Sequence, residues 1–326
     1  MASKSKNPKI AIKNPDLRQY VAGQVSISLV DSGSGIAAGR VCEHTSGEVK
    51  TGTEQNTAVM GITRNAIGTD DAGIVEWGYV PCLTASPVNA GDRIAPRASG
   101  YVGKAQTAQV SLLDATAGGN FANQPANDGI EIVSSAAGDT TQTITLYGTL
   151  NGAATVLVTE TLTLTGATQV VSSHTDWGAL LAARLSAVTA GNVTIREASG
   201  NATIIAITAG NLTAGIAAAT SSQAYGLIPR HDASGATTDP ICVVGTGVDG
   251  AALTSIDTLN GATEEDHGTT PFATVTEIYL GALASTVNVN FLTNEASDAS
   301  AYCGIALQTS AVGGAVVDCF IKPYWM

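Results

Sequence analysis

The 326-residue chain is short of charge, of aromatics and of histidine. Charged residues make up 13% while hydrophobic residues make up 44%. That balance excludes a disordered chain, which combines high charge with low hydrophobicity. Basic residues are outnumbered, 15 against 27 acidic, for a net charge of −12. A general nucleic-acid binder is excluded on that ground, because phosphate contacts need a basic surface. No apolar run reaches the ~20 residues of a membrane-spanning helix. Residues Met1 to Lys9 lack the apolar stretch of a secretion signal, so synthesis in a cytoplasm is expected.

The residues that usually announce chemistry are also missing. Cys42, Cys82, Cys242, Cys303 and Cys319 are odd in number and contain no Cys-x-x-Cys pair. They match neither a disulfide framework nor a zinc site, and buried free thiols are expected. His44, His174, His231 and His267 are scattered, with no His-x-x-x-His spacing. Glu264-Glu265-Asp266-His267 is the densest acidic cluster; it lacks the spacing of a calcium loop and reads as a solvated loop. Gly245-Thr246-Gly247-Val248-Asp249-Gly250 matches a dinucleotide fingerprint, but no βαβ alternation surrounds it, so Asp249-Gly250 reads as a hairpin turn. There is no Gly-x-Ser-x-Gly elbow and no phosphate loop. No catalytic residue, metal ligand or cofactor is expected, and the chain reads as a non-enzyme.

What the chain does have is glycine, 36 residues of it, placed at repeated turns. Ala38-Gly39-Arg40-Val41, Ser46-Gly47-Glu48-Val49, Val59-Met60-Gly61-Ile62 and Gly73-Ile74-Val75 form one series. A second series follows the same order. It runs Ala90-Gly91-Asp92-Arg93-Ile94, Ser99-Gly100-Tyr101-Val102 and then, far downstream, Tyr302-Cys303-Gly304-Ile305 and Gly314-Ala315-Val316-Val317. Ala-Gly and Ser-Gly before a β-branched residue mark turns entering short strands. Ten residues separate Val49 from Met60, but two hundred separate Val102 from Cys303. A structureless loop of that length is implausible, so an inserted domain is expected.

The insert carries its own duplication. Ile144-Thr145-Leu146-Tyr147-Gly148-Thr149, Asn151-Gly152 and Thr163-Leu164-Thr165-Gly166-Ala167-Thr168 recur as Ile241-Cys242-Val243-Val244-Gly245-Thr246, Asp249-Gly250 and Thr258-Leu259-Asn260-Gly261-Ala262-Thr263. Asn-Gly and Asp-Gly favour two-residue hairpins. The flanks, such as Thr155–Leu164 and Val287–Phe291, alternate with the period of half-buried strands. One β-sandwich of two similar halves is expected. From Asp176 to Val188, Trp177, Leu180, Leu181, Leu185 and Val188 share one helical face, which predicts a short helix capped by Thr175 or Asp176. Residues 115–127 and 209–239 read as long loops.

These readings give an all-β chain: a small β-barrel from residues 19–106 plus 298–326, and an inserted β-sandwich with one short helix over 107–297. Ahead of them, residues 1–18 hold Lys4, Lys6, Lys9, Lys13 and Arg18 against Asp16 alone. This arm carries +4 and leaves −16 on the body, so it is expected to reach for an acidic neighbour.

The N- and C-terminal segments together resemble the bacteriophage capsid cement (decoration) protein family. The residues that carry the resemblance are Ile36–Val41, Val59–Ile62, Pro87–Ile94, Ser99–Val102, Tyr302–Leu307 and Gly313–Val317. Together they cover about residues 18–106 and 298–326. The insert and the basic arm depart from the family pattern; the insert is similar to β-sandwich domains that phages append to virion proteins. The resemblance implies a small barrel on the outer capsid surface of the virion, commonly trimeric at local three-fold positions. Its partners would be the major capsid protein and further copies of itself, with no nucleic acid, membrane or catalytic residues involved. Capsid contact is expected from the barrel and from Lys4, Lys6, Lys9, Lys13 and Arg18, with the insert projecting outward. The competing reading is a head fibre or adhesin whose insert binds host-surface glycans. Its candidate platform is Tyr147, Trp177, Tyr225, Phe272, Tyr279 and Phe291, several of which sit in apolar patterns.

Overall fold

A computed structural model describes residues 25–30, 35–38, 40–45, 48–51, 59–63, 66–67, 72–106, 108–117, 121–234, 238–283, 287–293 and 303–321. The fold is all-β, with a single 3-10 turn at Ala98–Gly100 among the described residues. The chain opens with β1 (Val25–Val30), β2 (Val41–Thr45), β3 (Glu48–Thr51), β4 (Val59–Thr63), β5 (Ala72–Leu83), β6 (Arg93–Pro96) and β7 (Val102–Lys104). Next come β8 (Ser111–Ala117), β9 (Ile130–Ser134), β10 (Thr143–Leu150), β11 (Ala153–Thr163), β12 (Val170–Val171), β13 (Trp177–Leu185), β14 (Val193–Glu197), β15 (Thr203–Ile207) and β16 (Thr213–Ala214). They are followed by β17 (Ile216–Ala218), β18 (Gln223–Leu227), β19 (Arg230–Ala233), β20 (Pro240–Gly247), β21 (Ala252–Thr258), β22 (Glu265–Asp266), β23 (Phe272–Tyr279) and β24 (Asn288–Leu292). β25 (Gly304–Ala306) and β26 (Val316–Ile321) close the series.

The first seven strands and the last two make one curled nine-stranded sheet, ordered β3-β2-β4-β5-β26-β25-β6-β7 with β1 beside β5. The first duplication is visible in that order. β2-β4-β5 and β6-β25-β26 are equivalent runs that meet where β5 pairs with β26, from Leu83↔Val316 to Gly78↔Ile321. Curling brings Val41, Ile62, Trp77, Val80, Ile94, Val102, Val317, Cys319 and Ile321 into one core.

The insert holds four sheets and two main cores, in place of the expected single sandwich of two halves. β11-β10-β13-β16 faces β12-β9-β14-β15 around Ile132, Ile144, Leu146, Trp177 and Ile195. β17-β23-β20-β21, with β18 beside β23, faces β22-β19-β24-β8 around Ile241, Val243, Phe272, Val289 and Phe291. Each copy of the second duplication is therefore a sandwich in its own right. A half-sandwich would leave its apolar face open, and the flanking strands of each copy supply the missing sheet.

The two sandwiches match position by position. Ser172 N donates to Ile130 O and His267 N to Pro229 O; Ser134 N donates to Gly166 O and Ala233 N to Gly261 O. The hairpin-turn glycines Gly152 and Gly250 have φ of 82° and 81°, and Gly166 and Gly261 have 72° and 65°. Only glycine adopts such values without strain. Leu164 and Leu259 are both 1% exposed. β10 bulges against β13 at Tyr147/Gly148, and β20 bulges against β23 at Val244/Gly245.

The helix expected over Asp176–Val188 is instead the strand β13. Both of its faces are covered. Trp177, Leu180, Ala183 and Leu185 point into the first sandwich core, while Ala179, Leu181 and Ala182 pack on Cys242 and Tyr279 of the second sandwich. Two bulges against β10 stretch the inward spacing from two residues to three, which imitates a helical stripe. The loops expected at 115–127 and 209–239 also need correction. They contain the end of β8, then β16, β17, β18 and β19, strands too short or too rich in small residues to show a period.

Candidate interaction surface

Where β5, β26 and β25 run side by side, the outer face of the barrel sheet carries exposed apolar side chains. Along β26 the alternation is strict: Val317, Cys319 and Ile321 are buried, and Val316, Asp318 and Phe320 are exposed. Phe320 pairs with Tyr79 on β5 and Ile305 on β25, so three large apolar side chains form a row across three strands. Tyr79 is 55% exposed and meets the Phe320 ring edge-on at 5.3 Å. Val316, 63% exposed, extends the patch; Leu307 and Val312, from the loops flanking these strands, are also exposed. Asp318 lies among them, its Oδ2 accepting from Gln308 Nε2 at 2.7 Å. A cluster of exposed apolar side chains of this kind makes the face a candidate interaction surface.

The second sandwich is fixed to this barrel. Arg97 is fully buried; its Nε donates to Tyr225 O at 2.8 Å and its Nη1 to Pro96 O at 2.9 Å. A further bond runs from its Nη2 to Lys104 O. Backbones meet closely here. A Cβ on Gly103 would lie 2.5 Å from Tyr225 O, and one on Gly314 would lie 2.4 Å from Asp249 O. The first sandwich is held in turn by the second. Arg184 Nη2 donates to both carboxylate oxygens of Glu277 at 2.5 and 2.6 Å, and the Tyr147 and Tyr279 rings lie 5.1 Å apart. These contacts run from the barrel to the second sandwich and from there to the first.

Lys4, Lys6, Lys9, Lys13 and Arg18 lie outside the described residues. The glycine fingerprint at 245–250 is the end of β20 and its hairpin turn, closed by Gly247 N donating to Ala251 O at 2.8 Å. The five cysteines are buried free thiols; desolvation alone raises Cys42 to about 12, so this thiol stays protonated and unreactive. Of the aromatics in the glycan reading, Trp177, Phe272, Phe291 and Tyr279 are buried in the cores.

The acidic cluster is engaged by its own chain. Arg230 Nε donates to Glu264 Oε1 at 2.8 Å, and Arg230 Nη1 donates to Asp266 Oδ1 at 2.6 Å. Glu265 accepts from Asn260 Nδ2. His267 turns inward, where it meets His231 and Asp257. Linear spacing hides this meeting, because the three residues sit on separate strands or turns. The barrel's apolar row has one legible signal: Val316–Ile321 is apolar in both phases of its alternation except at Asp318.

None of the known family models, curated proteins or solved structures matches the chain. Among the described residues, no helix is long and apolar enough to cross a membrane.

Proposed function

We propose that the chain is a structural virion protein that binds the outer capsid surface of a phage and stabilises the shell as a cement or decoration protein. The observation that carries this reading is the row Tyr79, Phe320 and Ile305, exposed on the sheet built from the segments that resemble cement proteins. Buried against a capsid subunit, this face supplies the apolar centre of an interface, where exposed charge is normally scarce. A protein that binds only the assembled shell stabilises it by mass action. The barrel–second sandwich–first sandwich order supports an outward-pointing insert. The basic arm adds contact to an acidic neighbour, and the working unit is a trimer.

The test is occupancy of purified expanded shells of the cognate phage, measured by co-sedimentation. Phe320→Asp places a charge in the apolar row and is expected to lower occupancy at least tenfold while circular dichroism stays unchanged. Removing residues 1–18 is expected to weaken binding most at low salt and to flatten its salt dependence. Light scattering of the free chain is expected to give three times the 32.8 kDa chain mass. Full occupancy with Phe320→Asp would sink the assignment of this face.

A further inference from the structure

We propose that His231, His267 and Asp257 form a binding site for one divalent transition-metal ion of the zinc type, inside the second sandwich. One donor atom from each residue lies within 4.8 Å of the others. Both histidines are fully buried, with their rings 5.3 Å apart and each packed on Phe291. Among the described residues, neither ring nitrogen of His231 has a hydrogen-bond partner, and Nδ1 of His267 has none. Asp257 Oδ2 stands 3.8 Å from His231 Nε2, too far for a hydrogen bond. Buried polar atoms are normally paired, and an orphan nitrogen on each of two imidazoles beside a carboxylate is what a missing shared ion leaves behind; such an ion takes one nitrogen from each ring.

The surroundings prepare these groups as ligands. His267 Nε2 lies 3.1 Å from Ser255 O; a carbonyl only accepts, so Nε2 carries the proton and Nδ1 the lone pair. Metal-bound histidines are commonly held by a carbonyl in this way. Asp257 Oδ2 also accepts from Gly268 N at 2.7 Å, which fixes the carboxylate. Two imidazoles and one carboxylate suit zinc and its neighbours better than calcium or magnesium. Asp257 is partly exposed, and a water would complete the tetrahedron. Tetrahedral ligands at roughly 2.0–2.1 Å from zinc stand about 3.4 Å apart, within reach by side-chain rotation.

The first sandwich supplies the control. Register places Ile132 where His231 stands, since both occupy the centre of a pairing, Val170↔Ile132↔Ile195 in one and Glu265↔His231↔Phe291 in the other. Leu162 pairs with Ile144 as Asp257 pairs with Ile241. Ser172 takes the place of His267. The same architecture thus closes over Ile, Leu and Ser, and it does not need the polar triad to fold. The metal would join His231 on β19 and His267, just past β22, to Asp257 on the facing sheet, at the place where the first sandwich uses apolar contact.

The test uses the full chain, stripped with a chelator and titrated with Zn(II) by calorimetry. One ion per chain is expected, together with a rise in the thermal midpoint. Asp257→Asn keeps the size of the side chain and is expected to weaken zinc about a hundredfold. The triple variant His231→Ile, Asp257→Leu, His267→Ser takes the residues of the first sandwich and is expected to fold and lose the site. In the native chain, zinc is expected to shift the imidazole nitrogen resonances of His231 and His267. Absence of saturable zinc binding overturns the proposal, as does binding that survives both variants. Because the native chain's own resonances report the site, a variant that fails to fold leaves the proposal open to refutation.

Discussion

The two sandwiches share a frame and differ in what fills it. Turn glycines, bulges and strand order coincide, down to Gly148 and Gly245 at equivalent bulges. The interior does not coincide: Ile132, Leu162 and Ser172 in the first sandwich stand where His231, Asp257 and His267 stand in the second. The backbone is therefore specified by residues at turns and close approaches, which leaves interior positions free to vary. Such positions can accept a site without altering the fold.

The comparison breaks most readily at the bulge glycines. A Cβ on Gly148 would lie 2.2 Å from Ala179 O, and one on Gly245 would lie 1.9 Å from Thr274 O. Backbone atoms cannot move aside cheaply, so Gly148→Ala and Gly245→Ala are each expected to cost about 3 kcal/mol or more. Hydrogen exchange locates the loss. Gly148→Ala should expose the amides of β10 and β13 first, and Gly245→Ala those of β20 and β23. Equal loss in both sandwiches from either variant would show one cooperative unit in place of two.

A somewhat smaller effect sharpens the equivalence. Leu164 and Leu259 follow the same strand in each copy and are buried to the same degree. Leu164→Ala and Leu259→Ala are each expected to cost about 3 kcal/mol by urea unfolding, since each leaves a cavity in a closed core. Values differing by more than about 2 kcal/mol would mean that the cores are not equivalent at this position.

How much of this is legible in the residues depends on the range of the signal. Hairpin turns and strand alternation are local, so Asn151-Gly152, Asp249-Gly250 and the all-β class can be read directly. β13 reads as a helix because its partner β10 forces bulges that no local window contains. Its equivalent β23, Phe272–Tyr279, alternates more plainly, so aligning the copies beyond Thr168 and Thr263 exposes the error. The meeting of His231, Asp257 and His267 depends on two sheets facing each other, and spacing along the chain carries no trace of it. The apolar barrel row needs the pairing of β5 with β26, whose residues lie far apart in sequence.

The smallest expected effect concerns acid. Asp139 in the first sandwich accepts from Ser134 Oγ at 2.6 Å, Ala190 N at 2.9 Å and Gly191 N at 3.0 Å. The Ser134 hydroxyl, helped by these amides, holds its carboxyl below the usual range. The folded state therefore favours the charged form. Its contribution is complete above the ordinary carboxylate value of ~4 and is lost as pH falls through the lowered folded value. The second sandwich has Ala233 at the position of Ser134, so it lacks this hydroxyl. Asp139→Asn keeps an acceptor for the amides but removes the charge. Its urea midpoint, followed by the fluorescence of buried Trp177, is expected to fall less steeply below pH ~4 than that of the native chain. Identical acid profiles would mean that the charge of Asp139 adds nothing to the first sandwich, and this difference between the two copies would disappear.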